Sequence, residues 1–366
     1  MFAVAVVFVL RETFLNLEFG VRRQGVDLSW DFLGQRAGFA IKEGPAFSPS
    51  QSMLDAFLVG LSNTLRVALV GIVLATVLGL FVGVARLSRN WLVRRIALVY
   101  VEIVRNTPVA VQIVFWYVAV VLALPTIAGG FSIGDAIFVS NRATAVPWAH
   151  LEEGGVVWLL FLLGGLVAAA VAWRWRARTN ERTGAPARRV LWALGSFLAV
   201  ALIGYLVSGT PLRGDVPEPG RFGYEGGLQV SPEYTALLLG LVIYTAAFIA
   251  EIVRGSIQAV AKGQKEAAMA LGLSPGQQLR LVVLPQALRI AIPPLNSQYL
   301  NLTKNSSLAL LIGYPDMVAI SETIINQAGR ATQVLLLVMG TYLGITLTIS
   351  LVMNVLNRTV ATRGER

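Results

Sequence analysis

The chain has 366 residues, of which 55% are hydrophobic and only 14% are charged, and its formal net charge is +10. Soluble domains carry about a quarter charged residues, so this composition indicates a membrane protein. The chain has no cysteine and a single histidine, His150, which excludes disulfides and makes histidine-based metal sites and triads implausible. It also lacks a GxxxxGK[ST] phosphate loop and therefore does not bind ATP by that route.

Residues 1–53 are predicted to form an N-terminal transmembrane segment followed by a polar periplasmic loop. Met1–Leu10 is an apolar run of ten residues, whereas a helix needs roughly 20 residues to cross the bilayer core. There is no basic n-region and no clear cleavage site, so a signal peptide is a poor interpretation. Either the first helix continues through Phe19 or the true start lies upstream, and we expect a short or truncated first span.

Seven further apolar blocks follow and predict additional spans. They lie at about residues 55–85, 96–122, 156–173, 190–209, 233–256, 292–313 and 331–356. Helices are expected, because isolated strands cannot satisfy their backbone groups in lipid. The fold class is therefore an all-α polytopic membrane protein with about eight transmembrane helices. The mixed polar segment 123–155 is expected to be an external loop, and 210–232 is rich in proline and glycine.

Arginines cluster in two of the segments between spans and at the end of the chain. The clusters are Arg86, Arg89, Arg94 and Arg95; Arg174, Arg176, Arg178, Arg182, Arg188 and Arg189; and Arg358, Arg363 and Arg366. The positive-inside rule places all three clusters in the cytoplasm, together with both termini and residues 264–287. The basic charge is thereby explained by topology, and nucleic acid is not expected as a partner.

The cytoplasmic stretch QKEAAMALGLSPGQQLRLVVLPQA, residues 264–287, is too polar to cross a bilayer. Lys265–Leu271 is a run of good helix formers, and Gly272 can end that helix in a left-handed conformation. Ser274 and Pro275 predict a turn or a new helix start, and we expect the chain to bend at Pro285 toward the next span. The pattern predicts a short crosswise helix, which either binds a partner or lies on the lipid headgroups.

This stretch resembles the EAA motif of ABC importer permeases. The matching residues are Glu266, Ala267, Ala268, Gly272, Val282, Leu284 and Pro285, with Val282 in place of the usual isoleucine. The resemblance implies that the short helix docks on a cytoplasmic ABC ATPase dimer and transmits its movement. ATP and Mg would then be bound by that partner, and no cofactor would be bound by this chain.

Four other segments are similar to the polar amino acid branch of these permeases. They are FLVGLSNTLRVAL (57–69), RNTPVAVQI (105–113), YTAAFIAEIVRGSI (244–257) and LTKNSSLALLIGYPDM (302–317). The resemblance implies a five-helix type I core, divided between 54–122 and 233–357 with a coupling loop at 262–287, and a cytoplasmic tail at 358–366. The extra first helix and a two-helix insertion at 123–232 resemble the large permeases of general L-amino acid importers.

Further partners and a location follow from the same resemblance. They are a second permease subunit, expected to be a paralogue that forms a heterodimer, a periplasmic amino-acid-binding protein, and the bacterial inner membrane.

Two pairs of ionisable residues lie within spans, toward their cytoplasmic ends, and both occur in the tetrapeptide EIVR. They are Glu102 with Arg105, and Glu251 with Arg254. Positions i and i+3 share a helix face, so each pair is predicted to neutralise itself. The pairs either fix helix packing or act as a gate or substrate contact.

Polar residues in two spans are candidates for a translocation path, because lipid contact does not allow this much polarity. Ser297, Asn301 and Asn305 form one stripe, and Pro108 is able to break the helix beside a smaller cluster. The candidates are Asn106, Thr107, Gln112, Asn301, Lys304, Asn305 and Ser306. Amides and hydroxyls offer acceptors to an ammonium and donors to a carboxylate, and helix–helix hydrogen bonding is the alternative.

The function predicted from these features is ATP-driven import of L-amino acids, with this chain as the permease subunit. The alternative is an ion-coupled secondary amino acid transporter that acts without an ATPase, which leaves the EAA spacing unexplained. A membrane scaffold gives the polar stripe no purpose. An enzyme has the least support, since no nucleophile–base pair or metal cluster is present.

Overall fold

The structure, a computed structural model, describes residues 8, 11–12, 29–183, 188–220 and 223–362. The chain forms two compact units, one made of Met1–Ala123 with Pro232–Arg366 and the other of Leu124–Ser231. The predicted first span lies largely outside the described residues, as do Arg363 and Arg366 of the predicted tail.

Helices dominate both units. In chain order they are α1 (Met53–Ala85), α2 (Trp91–Arg105), α3 (Val109–Phe115) with a π-helical extension Trp116–Val121, α4 (Gly155–Thr183), α5 (Arg189–Val207), α6 (Pro232–Gln258), α7 (Lys262–Ala270), α8 (Pro275–Gln278) with a π-helical turn Leu279–Val283, α9 (Leu284–Asn305), α10 (Met317–Ala328) and α11 (Ala331–Thr362). Short 3-10 helices lie at Asp31–Gly34, Ile127–Gly129 and Ser306–Ile312.

Within the described residues, five helices are long and apolar enough to cross a membrane, namely α1, α4, α5, α6 and α11. Two bent pairs also qualify: α2 with α3 and its extension, at 104°, and Pro275–Ile312 with α10, at 55°. Each of the seven predicted spans after the first coincides with one of these elements. The predicted helical membrane fold is confirmed.

The span predicted at 96–122 is not one straight helix. Helix α2 ends at Arg105 and α3 begins at Val109, so the break falls around Pro108, as the sequence suggested. Proline has no N–H to donate, and it disfavours helical geometry in the residue before it. The backbone groups released by this break need other partners, which are described with the site below.

Helix α1 packs very closely against α6 because two of its residues are glycines. A Cβ atom added at Gly79 would lie 2.6 Å from Cβ of Ile249, and one added at Gly83 would lie 2.8 Å from Cβ of Val253. Helices in lipid gain little from hydrophobic burial against each other, so they depend on van der Waals contact at small residues. These two glycines therefore set the distance between α1 and α6.

Buried polar side chains of α1 hold the turn that precedes α10. Asn63 Nδ2 donates to the carbonyl of Pro315 at 2.8 Å and to that of Glu43 at 3.1 Å. Thr64 Oγ1 accepts from the backbone N–H of Met317 at 3.0 Å. Arg66 Nη1 lies 3.0 Å from Glu43 Oε1. The segment before α1 is thus fixed to the helix by both charge and hydrogen bonds.

The segments expected to be loops in the second unit contain short antiparallel strands. These are β1 (Phe131–Ile133), β2 (Ile137–Val139), β3 (Thr144–Val146), β4 (Trp148–Leu151), β5 (Leu212–Asp215), β6 (Glu218–Pro219), β7 (Tyr224–Glu225) and β8 (Leu228–Val230). One sheet has the order β1-β2-β3-β8, and β4 pairs with β5 and β6 with β7. Gly134 and Asp135 both have positive φ, which suits the tight turn from β1 to β2.

The pairing of β3 with β8 brings Thr144 opposite Val230, so the two ends of the second unit meet in one sheet. Helices α4 and α5 lie between those strands in sequence and pack against each other. The sequence did not predict these strands, because two of the pairings, β3 with β8 and β4 with β5, join segments that are far apart in sequence.

Candidate coupling and translocation sites

Helix α7 ends as the sequence predicted. Gly272 has φ of +73°, its N–H donates to the carbonyl of Met269 at 2.9 Å, and the N–H of Leu273 donates to that of Ala268 at 3.2 Å. These two bonds form a Schellman motif, which requires a left-handed residue that glycine adopts without strain. The prediction of a helix stop at Gly272 is confirmed.

A second helix starts immediately after this stop. The N–H of Ser274 donates to Gln277 Oε1 at 2.9 Å, and the N–H of Gln277 donates to Ser274 Oγ at 3.4 Å, which is a capping box. Pro275 occupies the first turn, where its missing N–H costs no helical bond.

The chain does not leave the helix at Pro285 but stays helical from Pro275 into α9. The N–H of Leu284 donates to the carbonyl of Leu279, five residues back, in a widened π-helical turn. A proline ring normally clashes with the carbonyl four residues before it. The wide turn directly before Pro285 gives the ring room, so the helix continues.

The EAA residues are divided between a buried and an exposed face. Ala268 is 2% exposed, whereas Glu266, Ala267 and Gly272 are exposed, as are Leu284 and Pro285 on the following helix. The exposed side of α7 and its end also carries Met269, at 63%, and Leu271, at 80%. We call the exposed residues of α7 and its end, from Glu266 to Gly272, the coupling surface.

The buried side of the segment is anchored to the membrane helices. Val260, Val283 and Ala287 form an apolar cluster against which Ile257 of α6 packs. Gln286 Nε2 of α9 donates to Gln264 Oε1 of α7 at 3.2 Å. Helix α7 is therefore hydrogen-bonded to α9, and the apolar cluster joins the end of α6 and the residues before α7 to the π-helical turn and α9.

Of the two predicted charge pairs, the structure forms only one. Arg254 Nε donates to both carboxylate oxygens of Glu251, at 3.1 and 3.2 Å, and its Nη2 contacts the same carboxylate. A further ion pair, unnoticed in the sequence, joins Glu251 Oε2 to Arg86 Nη1 at 3.2 Å. Arg86 directly follows α1, and its position in the basic loop was the only sign in the sequence that it could meet an acidic residue.

The prediction that Glu102 and Arg105 neutralise each other is wrong within the described structure. The guanidinium carbon of Arg105 instead lies 5.1 Å from the centre of the Phe248 ring. Asn106 Nδ2 donates to the carbonyl of Glu102 at 2.8 Å and lies 3.5 Å from its Oε2. Both charged residues are exposed on the surface of this chain.

The small polar cluster of the α2–α3 break stabilises the break itself. Gln112 is only 8% exposed, and its Nε2 donates to the carbonyls of Val104 and Thr107 at 2.8 and 2.9 Å. Thr107 Oγ1 donates to the carbonyl of Ile103 at 2.8 Å. Both amide hydrogens of Gln112 are thus used by backbone carbonyls near Pro108.

The candidate path residues of α9 are at different depths. Asn301 and Lys304 are exposed, Asn305 is half-buried, and Ser306 is buried with its hydroxyl donating to the carbonyl of Thr303 at 2.7 Å. Lys304 and Ser307 line a largely apolar cavity of about 790 Å³, whose wall includes Leu336, Met339 and Tyr342 of α11. Lys304 therefore places a positive charge in a recess large enough for a small solute.

Several membrane-spanning helices, broken spans with polar linings and an accessible helix between two spans define a membrane permease. The chain belongs to the family described as binding-protein-dependent transport system inner membrane component, whose model matches residues 75–363.

Two relatives share most of their length with this chain. It is 44% identical over 347 residues to the general L-amino acid transport system permease protein AapQ of Rhizobium johnstonii, covering 94% of this chain and 87% of the relative. It is 40% identical over 393 residues to the glutamate/glutamine/aspartate/asparagine transport system permease protein BztB of Rhodobacter capsulatus, covering 98% of this chain and 91% of that one.

The fold is also similar to a solved structure, described as a crystal structure of an amino acid ABC transporter with histidines. The TM-score is 0.50 with 20% sequence identity, over 84% of this chain and 94% of the other. At this identity the comparison supports the fold alone.

Proposed function

We propose that this chain is the transmembrane subunit of an ABC importer that moves L-amino acids across the bacterial cytoplasmic membrane. The family and the two relatives, both named as amino acid permeases, support this class of cargo. Energy comes from ATP and Mg bound by a separate dimeric ABC ATPase, and a periplasmic binding protein delivers the amino acid.

The coupling surface is the observation that carries the proposal. Met269 and Leu271 are large apolar side chains, 63% and 80% exposed, at the end of a helix too polar to lie in the bilayer core. Exposed apolar groups with a polar rim are typical of protein–protein contacts. The ATPase binds this surface, and the Schellman motif at Gly272 fixes the orientation in which Leu271 is presented.

Movement of the ATPase reaches the translocation path through α9. The apolar cluster of Val260, Val283 and Ala287 joins the coupling segment to α6 and α9. Helix α9 begins at Leu284 and carries Lys304 at its far end. A continuous helix transmits a displacement along its axis, so a shift of α7 changes the surroundings of Lys304 without any contact between the two.

The α9 residues have the chemistry that a zwitterionic amino acid requires. The ammonium of Lys304 binds the substrate carboxylate, and the amides of Asn301 and Asn305 supply both acceptors and donors. A charge-assisted bond to carboxylate is about twice as strong as a neutral one, so Lys304 carries most of the recognition of the shared amino acid backbone. Selection among side chains falls to the binding protein.

The proposed orientation places both termini and α7 in the cytoplasm. The ion pair between Arg86 and Glu251 supports it, because it joins the basic turn after α1 to the end of α6 that leads into α7. The basic turn is expected on the cytoplasmic side because of its positive charge. The end of α6 is expected there because α7, which follows it, contacts the ATPase. A paralogous second permease completes the transporter as a heterodimer.

The test is purification of the full chain in mild detergent with its native neighbours. We expect an ABC ATPase to co-elute with the wild type and to be lost from the Glu266→Arg/Gly272→Pro variant, while membrane insertion stays intact. Gly276→Ala, at an unconstrained site in the same segment, is the control. Amino acid uptake by the chain alone in ATP-free liposomes would instead establish an ion-coupled secondary transporter.

A further inference from the structure

A basic recess lies where α1, α2 and α6 meet. It has a volume of about 340 Å³ and is lined by Arg86, Trp91, Arg94, Arg95, Leu98, Arg254 and Gln258. We propose that this recess binds the phosphate headgroup of an anionic phospholipid, with the acyl chains lying along α2. The inference is independent of which solute is transported.

The recess carries more positive charge than its own ion pairs neutralise. Four arginines line it, and the Glu251 carboxylate pairs with two of them, Arg86 and Arg254. Arg94 makes one long bond, 3.4 Å, to the carbonyl of Ser88. Arg95 makes no hydrogen bond or ion pair within the described part of the chain. The excess charge favours an anion.

Donor groups are also available to that anion. The exposed guanidinium groups are those of Arg94 and Arg95, whereas Arg86 is only 11% exposed and already pairs with Glu251. A guanidinium presents paired N–H groups that match the oxygens of a phosphate. The first amides of α2 are capped by Asn90, so binding depends on the arginines.

An apolar surface beside the recess distinguishes a lipid from a free phosphate. Leu92, Ile96, Val99 and Ile103 of α2 are all exposed and repeat at helical spacing along one face. Trp91, 66% exposed, lies at the start of α2 and lines the recess, and tryptophan is common at the level of lipid headgroups. The ligand that fits both parts is amphipathic, with a phosphate at one end and hydrocarbon at the other.

The recess is also at the correct depth for a headgroup. Arg86 immediately follows the last residue of α1, and Gln258 is the last residue of α6. Basic pockets between the cytoplasmic ends of transmembrane helices are suited to anionic headgroups. The same end of α6 leads to α7, so a lipid bound here contacts the helix that precedes the coupling surface.

The experiment is native mass spectrometry of the full chain with its co-purifying subunits. Phosphatidylglycerol and phosphatidylcholine with identical acyl chains are offered in equal amounts. We expect the wild type to retain phosphatidylglycerol preferentially. Arg94→Gln/Arg95→Gln should weaken that retention roughly 25-fold, since each arginine near the surface contributes about fivefold. Arg94→Lys/Arg95→Lys should retain most of the binding, because the charge is kept.

Arg89→Gln is the matched control, since Arg89 lies in the same turn but does not line the recess. The thermal stability of each variant is measured to distinguish loss of lipid binding from loss of folding. Equal retention of the two lipids, or equal loss in Arg89→Gln, would overturn the proposal. So would complete displacement by inorganic phosphate, which indicates a free-anion site. If Arg94→Gln/Arg95→Gln loses the ATPase but retains the lipid, the recess binds a protein, and the proposal is also overturned.

Discussion

Arg86 Nη1 lies 3.2 Å from Glu251 Oε2, and Arg254 binds the same carboxylate. One acidic residue thus joins the end of α1 to the end of α6. Such a carboxylate, only partly exposed between two arginines, is needed to keep those arginines close together. The tetrapeptide EIVR occurs twice, beginning at Glu251 in α6 and at Glu102 in α2. Glu102 nevertheless pairs with no arginine in the described structure.

Removing the Glu251 charge should destabilise the protein far more than removing the Glu102 charge. We expect Glu251→Gln to lower the free energy of unfolding by about 2 kcal/mol, because two arginines lose their partner. Glu102→Gln, in an identical local sequence, is the control and should change little. Thermal unfolding in detergent measures both. Equal effects of the two variants would contradict a stabilising role of the ion-paired cluster of Arg86, Glu251 and Arg254.

Enlarging a glycine of α1 should separate α1 from α6. A Cβ at Gly83 would lie 2.8 Å from Cβ of Val253 and 2.9 Å from the carbonyl oxygen of Ala250. Gly83→Ala should therefore cost about 1–3 kcal/mol through overpacking. Gly340→Ala in α11, where a Cβ meets nothing within 4 Å, should be neutral or slightly stabilising. Thermal unfolding of the two variants, compared side by side, tests the difference.

Replacing Gly272 should impair coupling by distorting the end of α7. Its φ of +73° costs an alanine roughly 1–2 kcal/mol, so Gly272→Ala should fray the helix end that presents Leu271. ATP-driven uptake should fall while the amount of chain in the membrane stays constant. Gly276→Ala, in the following helix, should transport normally. Normal uptake by Gly272→Ala and by Gly272→Pro together would remove the coupling role of this turn.

Lys304 is expected to contribute to transport rather than to assembly. Its ammonium lines the cavity between α9 and α11, so Lys304→Gln should lower uptake roughly tenfold or more by removing a charge-assisted bond to substrate. Lys304→Arg should retain part of the activity. Asn305→Leu, one residue on, should likewise reduce uptake more than assembly. Uptake assays paired with recovery of the intact complex separate the two effects, and poor assembly would favour a packing role.

The α2–α3 break should depend on Gln112. Gln112→Met keeps the volume of the side chain but leaves the carbonyls of Val104 and Thr107 without their donors. We expect a loss of about 2 kcal/mol in stability. Val111→Met, at an exposed neighbouring position, is the control. A neutral Gln112→Met would mean that the chain satisfies these carbonyls in another way.

The sequence by itself determined which parts of the chain enter the membrane and where several helices end. Apolar blocks of sufficient length gave α1, α4, α5, α6 and α11, because crossing hydrocarbon demands a continuous apolar helix. Gly272 and Pro108 correctly predicted where helices are interrupted. The left-handed conformation of glycine and the missing N–H of proline are properties of single residues. The EAA spacing predicted a candidate coupling segment for the same reason, because it is also a local pattern.

Only the tertiary structure decided which of the two EIVR tetrapeptides forms an ion-paired centre. Glu251 gains Arg86, which follows α1 and is distant along the chain, and Glu102 gains no such neighbour among the described residues. The pairing of β3 with β8 and the basic recess likewise join segments that are distant along the chain. Periodicity and propensity describe one segment at a time, whereas these features depend on which helices and strands lie side by side.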